Sequence, residues 1–156
     1  MHLNVCDAEG VRRAIDAIQA SVTAYGGSLS SDRFLVERMV EGPRAEFIGG
    51  VSHKPGLGHA LIIGRGGTAV EELRDFATLL LPVSEAQICE ALDGLSIMRK
   101  LRLSDTDKTA LADAIMAIAR FADDNREQLA ELDVNPIILG VSGDVTAVDV
   151  LTWMTR

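Results

Sequence analysis

Three oxygen-bearing side chains interrupt an apolar, strand-like stretch near the end of the chain, ELDVNPIILGVSGDVTAVDV at residues 131–150. Asp133 and Asn135 lie two residues apart, so in a strand they point to the same face, and Ile137 follows them on it. If the turn consists of residues 142–144, position 137 lies opposite Asp149. Asp149 then joins this face one diagonal step from Asn135.

Two carboxylates and an amide oxygen on one face of a hairpin form a set of hard oxygen donors. Mg²⁺ prefers such donors and usually keeps part of its shell for water and substrate phosphates. The spacing equally allows a plainer interpretation, in which Asp133 and Asn135 line a solvated sheet edge and Asp149 starts a turn. Pro136 favours this second interpretation, because proline suits an edge strand or a bulge.

The elements that must position these residues can be predicted from periodicity. Residues 7–25 show apolar residues at helical spacing, with Asp7 as the N-cap and a Gly-Gly pair past the end. Strands are expected at 34–40, 45–52 and 59–64, separated by Pro/Gly turns, which favours an antiparallel meander. The segment 65–75 contains three glycines and cannot be assigned.

Two further helices precede the C-terminal hairpin. Ser84 and Gln87 form a capping-box pattern that opens a short helix. Residues 104–125 show the clearest amphipathic helix, with an acidic first turn that suits the helix dipole. The predicted fold class is α+β, a mainly antiparallel sheet flanked by helices, and residues 1–156 are expected to form a single domain.

Composition excludes several classes of function. The net charge of −8 disfavours a nucleic-acid partner and an anionic membrane surface. No apolar run is long enough to span a membrane, and the N-terminus does not resemble a signal peptide. Two widely spaced cysteines indicate reduced thiols, so we expect a cytoplasmic protein. His53 and His59 are expected on the surface, and Trp153 in core or sheet packing.

Several motifs together resemble the ATP-grasp domain of NDP-forming acyl-CoA synthetases, the group of ADP-forming acetyl-CoA synthetase and the succinyl-CoA synthetase β subunit. LVERMVEGPRAEFIGGVSHKPGLG is similar to the family's strand, glycine turn and second strand. GRGGTAVEELRD resembles its G-x-GG-x-x-x-E-x-x-x-D segment, and ELDVNPII with AVDV resembles the end of its domain. The similarity covers nearly the whole chain in the same order and implies the C-terminal, or rear, lobe of an ATP-grasp fold.

The resemblance implies a role for each matching residue. Asn135 and Asp149 correspond to Mg²⁺ ligands, and Asp133 to an acidic catalytic residue beside the metal and the phosphates. It also implies that Glu37, Arg38, Met39 and Val40 form the hinge along the adenine and that Glu46 lies beside the ribose. Gly66, Gly67 and Glu71, with Asp75 nearby, are implied to bind at the phosphate end of the nucleotide or at the interface with a phosphohistidine-carrying domain.

The implied function is the nucleotide-binding portion of an acyl-CoA synthetase, which binds Mg²⁺ with ATP or ADP and couples phosphoryl transfer to acid–CoA ligation. The CoA-binding and ligase parts, with the phosphohistidine, are then expected from other domains or another subunit, and the lysine-bearing front lobe is expected to be absent here. His53-Lys54 replaces the family's Arg-Asp pair. Two alternatives stay open: a degenerate lobe acting as a non-catalytic assembly or nucleotide-sensing module, and a small oligomerisation domain. Self-association is expected if apolar surface is exposed.

Overall fold

The computed structural model describes residues 2–26, 33–67 and 75–155. By its internal contacts the chain divides into two compact units, Met1–Met39 and Val40–Arg156. Each unit is described by itself below.

The described residues of the N-terminal unit contain the helix α1 (Ala8–Ala24). The carboxylate of Asp7 accepts a hydrogen bond from the Gly10 N–H at 2.6 Å. The predicted helix and its cap are thus confirmed. The strand predicted at 34–40 is wrong, since residues 33–41 form no regular element. A strand needs a neighbour to hydrogen-bond with, and the described part of the chain supplies none for this segment.

The second unit contains a six-stranded sheet in which every pairing is antiparallel. Its spatial order is β3-β2-β1-β4-β5, and β6 pairs with β4 on the same side as β5. The predicted meander of the second and third strands is confirmed as β1 and β2. The strands are β1 (Pro43–Lys54), β2 (Gly58–Arg65), β3 (Phe76–Leu80), β4 (Leu129–Gly140), β5 (Val145–Ala147) and β6 (Val150–Met154).

The described residues of this unit include the helices α2 (Glu85–Gly94), α3 (Ser96–Lys100) and α4 (Asp105–Asp124). Ser84 caps α2 in a capping box with Gln87, as predicted, and Ser104 caps α4 in the same way with Asp107. These reciprocal hydrogen bonds satisfy N–H groups that the first helical turn leaves free. The helix boundaries are therefore set by residues close in sequence.

The hydrophobic core lies between one face of the sheet and the helices. Buried sheet residues alternate with less buried ones, as in Phe47, Gly49 and Val51 of β1. A side chain at Gly49 would crowd this packing, because an added Cβ would lie 2.7 Å from Cδ1 of Ile118 on α4. The buried residues of the core are Phe47, Val51, Leu61, Ile63, Ile88, Leu92, Leu95, Ile97, Met98, Leu111, Ala112, Ile115, Ala119, Ala122, Leu129, Leu132, Val134, Ile137 and Leu139.

The C-terminal hairpin differs from the predicted register by two residues. Leu139 pairs with Val145, and the Gly140 N–H bonds to the Asp144 carbonyl, so the loop residues are 141–143 rather than 142–144. Position 137 therefore lies opposite Ala147 and not opposite Asp149. The turn at VSGD is confirmed. The single long strand expected after it is interrupted at residues 148–149.

A β-bulge in β4 also corrects the predicted face of Ile137. The register between β1 and β4 shifts between Phe47 and Gly49, opposite residues 135–136 of β4. Asn135 is exposed, whereas Ile137 is 1% exposed and belongs to the core. The extra residue reverses the alternation of side chains, so Ile137 does not share a face with Asn135. Pro136 stands at this bulge, one of the places where a sheet tolerates proline.

Two of the predicted environments are wrong. His59 is 7% exposed, and its Nε2–H donates a hydrogen bond to the Leu129 carbonyl oxygen at 2.7 Å. Trp153, expected in packing, is 50% exposed on β6. His53 is exposed as predicted. Burial at these positions depends on which elements cover the two ends of the sheet.

The α+β class with an antiparallel sheet and flanking helices is confirmed. Within the described ranges, no helix combines the length and the apolar character needed to cross a membrane.

Candidate functional site

The sheet face opposite the hydrophobic core carries most of the predicted site, and we call it the open face. On β1 it consists of Glu46, Ile48, Gly50 and Ser52, which alternate with the buried residues. Gly50 pairs with Asp133 of β4, and a Cβ added to Gly50 would lie 3.9 Å from Asp133 Oδ1. Asp133 is exposed between buried Leu132 and Val134. Its carboxylate therefore projects from the open face beside the space that Gly50 leaves.

Asn135 on β4 lies beside Asp149, the residue that immediately precedes β6. The Asn135 N–H donates to the Asp149 carbonyl oxygen at 3.0 Å. Asp133 pairs with Leu151, so the register of β6 places Asp149 directly opposite Asn135. Directly opposite residues share a face, and their Cβ atoms lie about 5 Å apart. The structure thus brings together Asp133, Asn135 and Asp149. Asp149 lies directly opposite Asn135, whereas the expected register placed it one diagonal step away.

The donor set fits a hard divalent cation. Two carboxylates and one amide oxygen provide the neutral and anionic oxygens that Mg²⁺ takes, with positions left for water and phosphate. No group of three or more His, Cys, Asp or Glu among the described residues is arranged to hold a metal ion by itself. The amide oxygen of Asn135 is therefore needed to complete a set of three donors with the two carboxylates. The arrangement suits an ion shared with a ligand rather than a closed protein cage.

Glu46, Gly66 and Gly67 form a second cluster on the open face. The Gly66 N–H donates to the Glu46 carbonyl oxygen at 2.8 Å. A Cβ on Gly66 would lie 2.8 Å from the Phe47 carbonyl oxygen, so the chain can cross β1 here only as glycine. Gly67 has a φ of +88°, and a Cβ there would lie 2.9 Å from Glu46 Oε2. The glycines let the backbone lie directly under a half-buried carboxylate.

The two clusters are close enough for one extended ligand. Glu46 is two residues from Ile48 along β1, and the bulge at residues 135–136 of β4 lies beside Ile48. Two residues of strand and one inter-strand step separate Glu46 from Asn135 by roughly 8 Å. An elongated molecule lying across β1 and β4 can therefore contact both clusters.

Asp75 has a structural role that the sequence did not reveal. Its carboxylate accepts hydrogen bonds from the N–H groups of Ser96 at 2.7 Å and Ile97 at 2.9 Å, at the start of α3. Burial acts to raise the pKa of Asp75, but these bonds, with Ser96 first, outweigh it and lower the pKa below 3.8. No local pattern links residues 75 and 96, since they are distant in sequence.

Asp107 joins the start of α4 to the first strand. Hydrogen bonds from Ser104 to its carboxylate lower its pKa below 3.8, and Arg44 adds to this effect. Arg44 donates to Asp107 Oδ2 at 2.8 Å and also to the Arg102 carbonyl at 2.5 Å. This ion pair fixes the end of β1 that leads into the open face.

The remaining predicted residues belong to the N-terminal unit, to the start of the second unit or to residues outside the described ranges. Glu37, Arg38 and Met39 are exposed residues of the N-terminal unit, and Val40 begins the second unit. Their role along an adenine stays a prediction. Glu71 lies outside the described residues.

The comparisons with known proteins agree with the fold and the motifs. The chain is 25% identical over 146 residues to the β subunit of ADP-forming acetate–CoA ligase II from Pyrococcus furiosus, covering 91% of this chain and 61% of the relative. It is 31% identical over 159 residues to a trans-feruloyl-CoA synthase of an unknown prokaryotic organism, covering 99% of this chain and 22% of the relative. This chain therefore spans less than two thirds of these curated relatives.

A solved structure has the same fold over nearly the whole chain. Dinucleotide forming acetyl-coenzyme A synthetase 1 from Ca. Korarchaeum cryptofilum, in complex with coenzyme A, Ca-AMPCP and HgCl⁺, superposes with a TM-score of 0.81 at 25% identity. The match covers 98% of this chain and 67% of that chain. The sequence profile described as an ATP-grasp domain matches residues 1–153. The chain therefore belongs to the ATP-grasp domain family.

Proposed function

We propose that this chain is the nucleotide-binding portion of an NDP-forming acyl-CoA synthetase. It binds ADP or ATP together with Mg²⁺ on the open face and positions the terminal phosphate for transfer, in a reaction coupled to ligation of a carboxylic acid to CoA. The observation that carries the proposal is the pairing of Asn135 with Asp149, with Asp133 next to them beside Gly50.

The charge of the protein supports the need for a metal. A chain of net charge −8 repels a polyphosphate, and the carboxylates of Asp133 and Asp149 add to this locally. Bound Mg²⁺ reverses the sign of the field there and neutralises charge on the phosphates. Asn135 and Asp149 would hold the ion, and Asp133, two residues along β4, would contact the ion or its bound water from the other side.

The second cluster supports a place for the rest of the nucleotide. The carboxylate of Glu46 has no hydrogen-bond or ion-pair partner among the described residues, although its carbonyl oxygen accepts from the Gly66 N–H. Its half-buried carboxylate can accept hydrogen bonds from ribose hydroxyl groups. Gly66 and Gly67 would present backbone beside it without side chains in the way. The family resemblance implies that residues 37–40 contact the adenine through backbone groups and apolar side chains.

Partners follow from the same proposal. The P. furiosus and trans-feruloyl relatives, an ADP-forming acetate–CoA ligase subunit and a CoA synthase, both exceed this chain in length. CoA binding and the phosphohistidine would come from other domains or another subunit. We further propose that the protein works in the cytoplasm, since its two cysteines are free and exposed.

Calorimetric titration of ADP and ATP, with and without Mg²⁺, tests the proposal. We expect the parent chain to bind only with Mg²⁺, and Asn135→Ala and Asp149→Ala each to weaken binding at least tenfold. Asp113→Ala, which removes an exposed carboxylate on α4, is the matched control and should bind like the parent. Equal binding by all four proteins would refute the metal site.

The alternative of a degenerate lobe has its own signature in this experiment. His53 and Lys54 stand exposed at the end of β1, where the family resemblance implies an Arg-Asp pair. The parent chain would then bind Mg-nucleotide but would not exchange a phosphoryl group when the synthetase's other subunit or domains are added. That result would support a nucleotide-sensing module over an enzyme portion.

A further inference from the structure

The exposed edge of the sheet at β6 has the composition of a contact surface. Val150, Leu151, Trp153 and Met154 are 53%, 52%, 50% and 45% exposed, respectively. They alternate between the two faces of the strand, so both faces are apolar. Residues 150–155 carry no charge. Large apolar side chains exposed together in this way usually mark an interaction site.

The backbone of β6 has a free side as well. One edge of β6 pairs with β4, and no strand among the described residues pairs with the other edge. Solvent-exposed edge strands are usually protected by lysine, proline or a short length, because unpaired N–H and C=O groups recruit another strand. β6 has neither lysine nor proline. An extended chain adding to this edge would satisfy these groups.

We propose that the strand that adds to this edge is β6 of a second copy of the chain. Two identical antiparallel strands related by a two-fold axis at Thr152 place Leu151 opposite Trp153 of the second copy on one face. They place Val150 opposite Met154 of the second copy on the other face. All four exposed apolar side chains thereby gain an apolar partner, which is the self-complementarity that an isologous interface needs.

Self-complementarity selects this occupant, and charge and area together set the strength of the contact. Two chains of net charge −8 repel each other, and the uncharged β6 is a surface where they can meet without facing carboxylates. Covering half of four large side chains removes on the order of 400 Å² per copy, or about 800 Å² in all, the size of a weak interface. We therefore expect a dissociation constant on the order of 100 µM.

The experiment uses sedimentation and the fluorescence of Trp153, the single tryptophan of the chain. Over a dilution series from ~1 mM to ~5 µM, the parent should pass from dimer to monomer. The emission of Trp153 should shift to longer wavelength in parallel, because its ring becomes exposed. Added salt should strengthen the association, because it screens the repulsion between two chains of net charge −8.

Charge substitutions at the two-fold axis make the test specific. Thr152 is exposed and would face itself, so Thr152→Lys and Thr152→Glu each place like charges opposite one another and should raise the dissociation constant at least tenfold. A mixture of the two variants pairs opposite charges and should associate again. Thr78→Lys, at an exposed position on the other edge strand β3, is the matched control and should dimerise like the parent.

Three results would overturn the proposal. The first is a parent chain that stays monomeric at ~1 mM with unchanged Trp153 emission, which would leave this edge to a strand from a different protein. The second is association of Thr152→Lys with parent affinity. The third is failure of the mixed lysine and glutamate variants to associate while each retains the thermal stability of the parent.

Discussion

Gly66→Ala offers a direct test of why a glycine stands at one of the proposed nucleotide-binding positions. Gly66 is buried, and an added Cβ would lie 2.8 Å from the Phe47 carbonyl oxygen and 2.9 Å from its carbonyl carbon. These are backbone atoms of the sheet and cannot rotate away. The substitution must therefore displace the chain from β1 and break the hydrogen bond from Gly66 to Glu46.

The magnitude follows from these two losses. Breaking one backbone hydrogen bond costs about 1 kcal/mol, and forcing extra volume into a packed site costs about 1–3 kcal/mol. We expect a decrease of about 2–4 kcal/mol in the free energy of unfolding. With a urea m-value of about 2 kcal/mol/M, the unfolding midpoint should fall by about 1–2 M.

Gly50→Ala is the control, since it adds the same methyl group to the same sheet. Its Cβ would find only ordinary contacts, with the nearest atom, the Leu132 carbonyl oxygen, at 3.6 Å. This variant should be as stable as the parent, or more stable by about 0.5 kcal/mol, because alanine restricts the unfolded chain. Both are measured by urea unfolding without nucleotide. Equal midpoints for the two variants would show that the crossing at Phe47 does not require glycine.

Three further predictions concern the elements that support the site. Asp75→Asn should lower stability by about 1 kcal/mol in thermal unfolding, because it removes the charged cap of α3; an unchanged midpoint would contradict this role. Folding lowers the pKa values of Asp75 and Asp107 from 3.8, so both ionised carboxylates stabilise the folded protein. This stabilisation is complete at pH values above 3.8 and is lost as the pH falls through the lower folded-state pKa. Acid titration of Asp107→Asn should therefore show a shallower loss of stability than the parent, and parallel curves would refute the assignment. Gly49→Ala should cost about 1–3 kcal/mol, because its Cβ meets the Ile118 side chain on α4, and a more stable variant in urea unfolding would show that this side chain moves freely.

The features predicted correctly from the sequence depend on residues close to each other in the chain. The starts of α1, α2 and α4 follow from the caps Asp7, Ser84 and Ser104, whose hydrogen bonds reach only three residues ahead. The strands β1 and β2 follow from apolar runs separated by a Pro/Gly turn. The polar residues of the C-terminal hairpin were recognisable because they break an apolar pattern.

The tertiary structure decided what depends on distant partners. The bulge at residues 135–136 sends Ile137 to the core, and its register is set by β1, about ninety residues earlier in the chain. Asp75 caps a helix that begins at Ser96, which no local pattern indicates.

By itself, the sequence determined the starts of α1, α2 and α4, the α+β class and which oxygen-bearing residues stand in the last hairpin. Only the folded sheet decided that Asn135 lies directly opposite Asp149 and that Trp153 is left exposed on β6. The reason is that periodicity and capping act over one or two turns of chain. Register and burial, in contrast, depend on which strand or helix lies alongside.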